Sequence, residues 1–290
     1  MHSPHFFKVY CRLGLPHAPI HSSKLNIGVE DAPEFILTKQ FLSQFPKAEV
    51  SYYRFSNPEE VDEKDYWSVL RNNLEGCKLK INEKLKNGQV QIVIGGDNSV
   101  TFSSLLAVLS RFNPSKVGYI QFDSHGEANS FGGSISKNFH GMYMRPFLEV
   151  FDIEEIERLV PVKIPAENFL SMGNLDLDPD EIDLYQRLNI RNFNQTNIGQ
   201  AGEFIKQFLQ RFAHIHINFD IDVFDKSITP ATGTPTQKGL FPEDIVPLLE
   251  IIKKHPSWSL DLVEVNPKMV GSKKTIKLAQ KILQFMLKFA

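Results

Sequence analysis

Short, dense apolar runs alternate along the chain with longer stretches of helical spacing. Residues 6–12 read as a first strand, followed by a loop holding Gly14, Pro16 and Pro19. Residues 28–33 open a helix, with Asp31 suited to its N-cap and Pro33 to its first turn. Residues 48–55 are extended, and 62–86 carry helical spacing that stops at Asn87-Gly88. An apolar strand from Val90 breaks at Gly95-Gly96, a helix is predicted over 99–112, and a further apolar run covers 117–122. A Gly/Ser-rich loop fills 128–141. Residues 168–175 then read as a strand, and 176–181 begin a helix with acids where the helix dipole favours them. A helix over 198–212, a strand from His214, a turn-rich loop at 229–235, a helix over 242–254, a strand over 258–265 and an amphipathic helix over 272–288 complete the chain. Strand and helix alternate throughout. That pattern predicts an α/β fold, a three-layer α/β/α sandwich with a mostly parallel sheet. With no linker, repeat or low-complexity tract, residues 1–290 are expected to form a single domain.

The polar residues at the strand ends carry the candidate chemistry. The run 117–122 leads straight into Asp123, His125 and Glu127, each two apart. On an extended segment such residues point to one side and can converge just past the strand. Oxygen and imidazole together suit Mn²⁺, Zn²⁺ or Fe²⁺, although an ordinary strand end with solvated polar residues has the same look. A second β-rich run ends in Asp220 and Asp222, and the Val90 strand releases Gly95-Gly96-Asp97-Asn98-Ser99. Strands that deliver ligands at their carboxyl ends mark the usual site of open α/β sheets.

Composition narrows the setting. The 290 residues suffice for a large core. A net charge of −2 shows no nucleic-acid footprint. Two cysteines, Cys11 and Cys77, without a CxxC pattern, point to a reducing, cytoplasmic setting without disulfides. The first residues lack a basic region followed by an apolar run, so no signal peptide is read. No apolar run approaches the roughly 18 residues of a membrane helix.

Six segments, in order, resemble motifs of the ureohydrolase superfamily, and of arginases in particular. Residues 28–33 resemble its GVE-x-x-P segment, 95–99 its GGDHS, 123–127 its DAHTD, 220–225 its D-x-D-x-x-D, 229–235 its TPATGTP, and 264–267 its EVNP. The resemblance implies an arginase/deacetylase-like fold with two Mn²⁺ ions. It implies hydrolysis of L-arginine to L-ornithine and urea by a metal-bound hydroxide. Asp123, His125, Asp220 and Asp222 would hold one ion, B, with Asp123 and Asp220 shared between the two. Glu264 would anchor the guanidinium, and His140 would return a proton to the leaving amine. Asn129, Ser136 and Asn138 resemble the loop that holds the α-carboxylate, Asp178 and Glu181 the acids that receive the α-amino group. Thr234 is a candidate to support Glu264 or the guanidinium. His214 and His216, at even spacing on their strand, are read as structural.

Two positions depart from the pattern. Asn98 stands where the family has its first metal histidine, and Glu127 where it has aspartate. Both would belong to the more exposed ion, A, which is therefore expected to bind weakly or not at all. A catalytically weak or inactive homologue with a binding or regulatory role is one alternative. A formiminoglutamate or guanidino-acid hydrolase on the same fold is the other. By analogy, the resemblance also implies a trimer or hexamer, with a small-molecule substrate and neither nucleic acid nor membrane as partner.

Overall fold

The computed structural model describes residues 3–14 and 26–288. In chain order its strands and α-helices are β1 (Ser3–Tyr10), α1 (Ala32–Ile36), α2 (Lys39–Leu42), β2 (Glu49–Arg54), α3 (Tyr66–Lys84), β3 (Gln89–Ile94), α4 (Ser99–Leu109), β4 (Val117–Phe122), α5 (Arg145–Leu148) and α6 (Glu154–Glu157). Then follow β5 (Phe169–Met172), α7 (Pro179–Arg187), β6 (Arg191–Phe193), α8 (Ala201–Leu209), β7 (His214–Asp220), α9 (Pro242–Ile252), β8 (Trp258–Val263) and α10 (Ser272–Leu287).

The strands form one eight-stranded sheet in the order β2-β1-β3-β8-β7-β4-β5-β6, with every neighbouring pair parallel. Parallel strands are covered on both faces and so read as near-continuous apolar runs, which is why β4, β7 and β8 are buried along their whole length. Alternate residues feed two cores. On one face Ile92, Ile94, Ile120, Phe122, Ile217 and Phe219 pack with residues of α1, α2, α8, α9 and α10. On the other, Phe7, Val9, Val93 and Tyr119 pack with residues of α3, α4 and α7. The three-layer α/β/α arrangement expected from the alternation is present. The last strand is not at an edge. β8 lies between β3 and β7, Leu260 pairing with Ile92 on one side and Ile217 on the other.

Boundaries differ from the sequence reading where local geometry intervenes. The strand expected over 168–175 stops at Met172, because Gly173 turns to φ 106°. That conformation favours glycine. A Cβ there would also press on the Asp123 carbonyl oxygen at 2.7 Å. The strand expected over 258–265 ends at Val263, since Glu264 itself adopts φ 63°. The helix expected over 198–212 begins at Ala201, after a 3₁₀ turn at Ile198–Gln200. β6, α5 and α6 had no counterpart in the sequence reading. Pro16 and Pro19 lie outside the described residues. No helix among the described residues is long and apolar enough to cross a membrane.

Candidate functional site

The carboxyl ends of β3, β4, β7 and β8 converge. Asp123, the first residue past β4, is fully buried, and its Oδ1 accepts from the backbone N–H of His125 at 2.9 Å. The chain then leaves the extended conformation, and Glu127 takes φ 56°. The convergence of Asp123, His125 and Glu127 therefore involves a bend at Ser124 and the left-handed Glu127, while His125 still forms a parallel bridge with Asp176. One ligand atom from each lies within 4.8 Å of the others, and the same holds for Asp123, Asp220 and Asp222. His125 Nδ1 stands 3.2 Å from Asp222 Oδ2, 3.6 Å from Asp123 Oδ1 and 3.9 Å from Glu127 Oε1. Donor atoms around a small divalent ion, with bonds of about 2.1 Å, stand roughly 3.0–3.4 Å apart. Asp123, His125 and Asp222 are close to that spacing without rearrangement, with Asp220 beside them. This is the set assigned above to ion B, and it fits a metal.

The set assigned to ion A does not fit as built. Asn98, the N-cap residue of α4, directs its amide nitrogen inward. Nδ2 donates to Asp220 Oδ2 at 2.7 Å and to Asp123 Oδ2 at 3.2 Å. The amide oxygen, the only atom of that side chain able to bind a cation, accepts instead from Asn218 Nδ2 at 3.0 Å. Glu127 Oε2 is buried with no hydrogen-bond partner among the described residues.

Burial raises the carboxyl pKa values of Asp220 and Glu127, and nearby carboxylates add to the effect. Burial also raises Asp123, against the opposing hydrogen bond from His125. Asp222 goes the other way: burial would raise it, but the charge and hydrogen bond of His125 outweigh that and hold it low. These acids resist sharing one pocket as anions, which is the electrostatic signature of a place for cations.

A cavity of about 330 Å³ opens beside these residues. Its lining joins His125 and Glu127 to Asn129, Ser136, His140, Asp178, Glu181 and Thr234. Asn129 donates to Asp178 Oδ2 at 3.0 Å, while its Oδ1 is buried without a partner among the described residues. Glu181 accepts from the backbone N–H of Ala128 at 2.8 Å and of Asp178 at 3.0 Å, yet burial still raises its pKa to about 7. His140 Nδ1 lies 3.4 Å from Glu264 Oε1. Burial would lower the His140 pKa, but Glu264 outweighs it and the net shift is upward. Thr234 and Ser136 are exposed at the mouth. Asn138 is buried and is not among the lining residues; its backbone N–H donates to Ser136 Oγ at 3.3 Å. His214 bridges Ser257 and Ser259 at 2.8 Å each, and His216 bonds Ser259 at 2.7 Å, the structural roles expected for them. A larger depression of about 900 Å³ sits at the opposite ends of β3, β7 and β8, remote from the acid cluster.

Four residues of the site were missed in the sequence. Asn26 donates to Glu264 Oε2 at 2.8 Å across 238 positions, and no local pattern announces it. Gln121 donates to Asp123 Oδ2 at 3.1 Å and Ser124 Oγ to Asp222 Oδ1 at 2.9 Å. Asn218 stands two residues before Asp220 on β7, so strand alternation alone put it on the same face.

A buried carboxylate–imidazole cluster at the carboxyl ends of a parallel sheet, opening on a cavity with polar walls, defines a metal-dependent type of α/β site. The arginase family profile matches residues 13–288. The chain belongs to the arginase family of ureohydrolases. Arginase-1 of Homo sapiens is 28% identical over 278 residues, covering 89% of this chain and 85% of that protein. The structure of an Entamoeba histolytica arginase in complex with L-ornithine superimposes with a TM-score of 0.85 at 24% identity, over 97% of this chain and 96% of that one. A formimidoylglutamase from Bacillus subtilis shares the fold, with a TM-score of 0.71 at 20% identity, over 99% of this chain and 87% of that one.

Proposed function

We propose that the protein hydrolyses L-arginine to L-ornithine and urea in the cytoplasm, as a single-domain subunit of a homo-oligomer, with Mn²⁺ as its metal. The observation that carries this reading is the one cavity that joins the His125 and Glu127 side chains to Asn129, Ser136, Asp178 and Glu181. An amino-acid head group needs donors for a carboxylate and acceptors for an ammonium, and that wall supplies both. Agmatine, without a carboxylate, leaves the Asn129 and Ser136 end unused.

Asp123, His125, Asp220 and Asp222 would hold the ion. A divalent cation there supplies Lewis acidity and brings the pKa of water down towards neutrality. Glu264 accepts charge-assisted hydrogen bonds from the guanidinium, and Asn26 and the backbone N–H of Asn98 fix its carboxylate in place. His140, protonated more readily beside Glu264, gives its proton to the leaving amine. Glu181 and Asp178 receive the α-ammonium.

Purified protein loaded with MnCl₂ should release urea from L-arginine, with a kcat/KM at least 10-fold above that for agmatine or N-formimino-L-glutamate, since charge-assisted contacts are worth about 1.5–3 kcal/mol each. Equal kinetics on arginine and agmatine would mean the head-group wall has been misread.

A further inference from the structure

We infer that the second metal position is closed by the Asn98 amide, which is locked by Asn218, so that the centre holds a single ion under ordinary loading. The inference rests on the metal-dependent reading above and deepens it. Both hydrogens of Asn98 Nδ2 are committed, one to Asp220 and one to Asp123. These are the two carboxylates that the motif pattern would share between two ions. A neutral amide therefore satisfies, by hydrogen bonding, oxygens that a second cation would otherwise satisfy by coordination.

Asn218 fixes which end of that amide faces in. Its Nδ2 donates to Asn98 Oδ1 at 3.0 Å and to Thr101 Oγ1 at 2.6 Å. All three side chains are fully buried. Turning Asn98 alone would set its oxygen against two carboxylate oxygens and its NH₂ against the NH₂ of Asn218. Both contacts are repulsive. To present an oxygen to a cation, Asn98 and Asn218 must rotate together. Asn218 then offers Oδ1 to Asn98 Nδ2 and to the Thr101 hydroxyl. Asn218 Oδ1 has no partner among the described residues in the present arrangement, so the lock is carried by its nitrogen alone. Entry of a second ion thus requires two charge-assisted bonds to break and two buried amides to turn. The nitrogen-in arrangement favours one ion, held by Asp123, His125, Asp220 and Asp222, with Glu127 at its edge, one oxygen 3.9 Å from His125 Nδ1 and the other without a partner among the described residues.

The test is a titration of metal-stripped protein with MnCl₂, read by elemental stoichiometry and by Mn²⁺ electron paramagnetic resonance. An isolated ion and an exchange-coupled pair give different spectra, and neither readout depends on urea production. The wild type should bind one ion, with the isolated-ion spectrum, and a second at least about 100-fold more weakly, in line with the 10- to 100-fold that even supporting groups contribute to metal affinity. Asn98→His should bring the second ion to within about 10-fold of the first and produce the coupled spectrum. Asn218→Leu keeps every ligand but removes the lock, so it should tighten the second ion several-fold. Because Leu matches Asn in shape, this variant also serves if Asn98→His fails to fold. Two ions bound with similar affinity by the wild type would overturn the inference and leave the hydrolase reading standing. An Asn218→Leu protein with unchanged second-ion affinity would overturn the lock. Failure of the wild type to bind any Mn²⁺ would remove the hydrolase reading itself, and this inference with it.

Discussion

Glu181 is the cavity carboxylate whose charge changes near neutral pH. Burial raises its pKa from 4.5 to about 7, so the native state holds its proton where the unfolded chain has lost it. The stability this provides is present in full below pH 4.5 and is lost as pH rises through 7. Receipt of an ammonium needs the opposite, the anionic form. KM for L-arginine at saturating Mn²⁺ should therefore fall as pH rises from 6 to 8, by about 10-fold for a group with this pKa. Glu181→Gln should raise KM at pH 8 and flatten its pH dependence; a variant that keeps the wild-type slope would clear Glu181 of the role. Single residues also mark the boundary of what the sequence discloses. Asp123, His125, Glu127, Asp220 and Asp222 could be picked out by their type and their place at strand ends, although a bend at Ser124 and the left-handed Glu127, not strand spacing alone, shape how the first three meet. The direction of the Asn98 amide could not, because it is set by Asn218 from 120 positions away.

The turn from β3 into α4 shows how an element places a residue. Gly95-Gly96 lets the chain pass against β1's extension, where the Cys11 carbonyl accepts from the backbone N–H of Asp97 at 3.0 Å. A Cβ on Gly96 would overlap that carbonyl oxygen, a backbone atom that cannot swing aside. Gly96→Ala should lower stability by about 1–3 kcal/mol, the usual range for overpacking. It should also weaken Mn²⁺ binding, since a shift of Asn98 with the turn disturbs the hydrogen bonds that position Asp123 and Asp220. Urea unfolding and calorimetric titration read the two effects, and unchanged values in both would show a turn more pliant than its contacts suggest. Elements with a strong period or a dense apolar run were legible in advance, α10 and β4 among them. β6 was not, because three residues, Arg191–Phe193, carry no period; tertiary pairing with Leu170–Met172 makes the strand. The one-turn helices α5 and α6 were invisible for the same reason.

At the scale of the whole molecule, the buried acids bind stability to metal and pH together. Asp123, Glu127 and Asp220 have pKa values raised by burial, so their contribution in metal-free protein is lost as pH climbs through those values; Asp222, held low, runs the other way. Chelator should lower Tm, and by more at pH 8 than at pH 5.5. Restored Mn²⁺ at 100 times Kd should recover about 2.7 kcal/mol, or roughly 5 °C. A Tm indifferent to chelator at both values would argue that the cluster holds no ion. The position of β8 reaches further, to the order in which the chain is made. A ribosome delivers β1 through β7 first, as two half-sheets, β2-β1-β3 and β7-β4-β5-β6, whose facing edges have no partner until β8 arrives. The edges left open during that interval belong to β3 and β7, both nearly wholly buried in the finished fold, the kind of edge on which nascent chains aggregate. Asn98 and Asp220 stand on opposite sides of that seam, so the Asn98 amide reaches the acid cluster only when the last strand closes it. A half-made chain of this protein thus carries its acid cluster on one half-sheet and the amide that caps it on the other, with two bare strand edges between them.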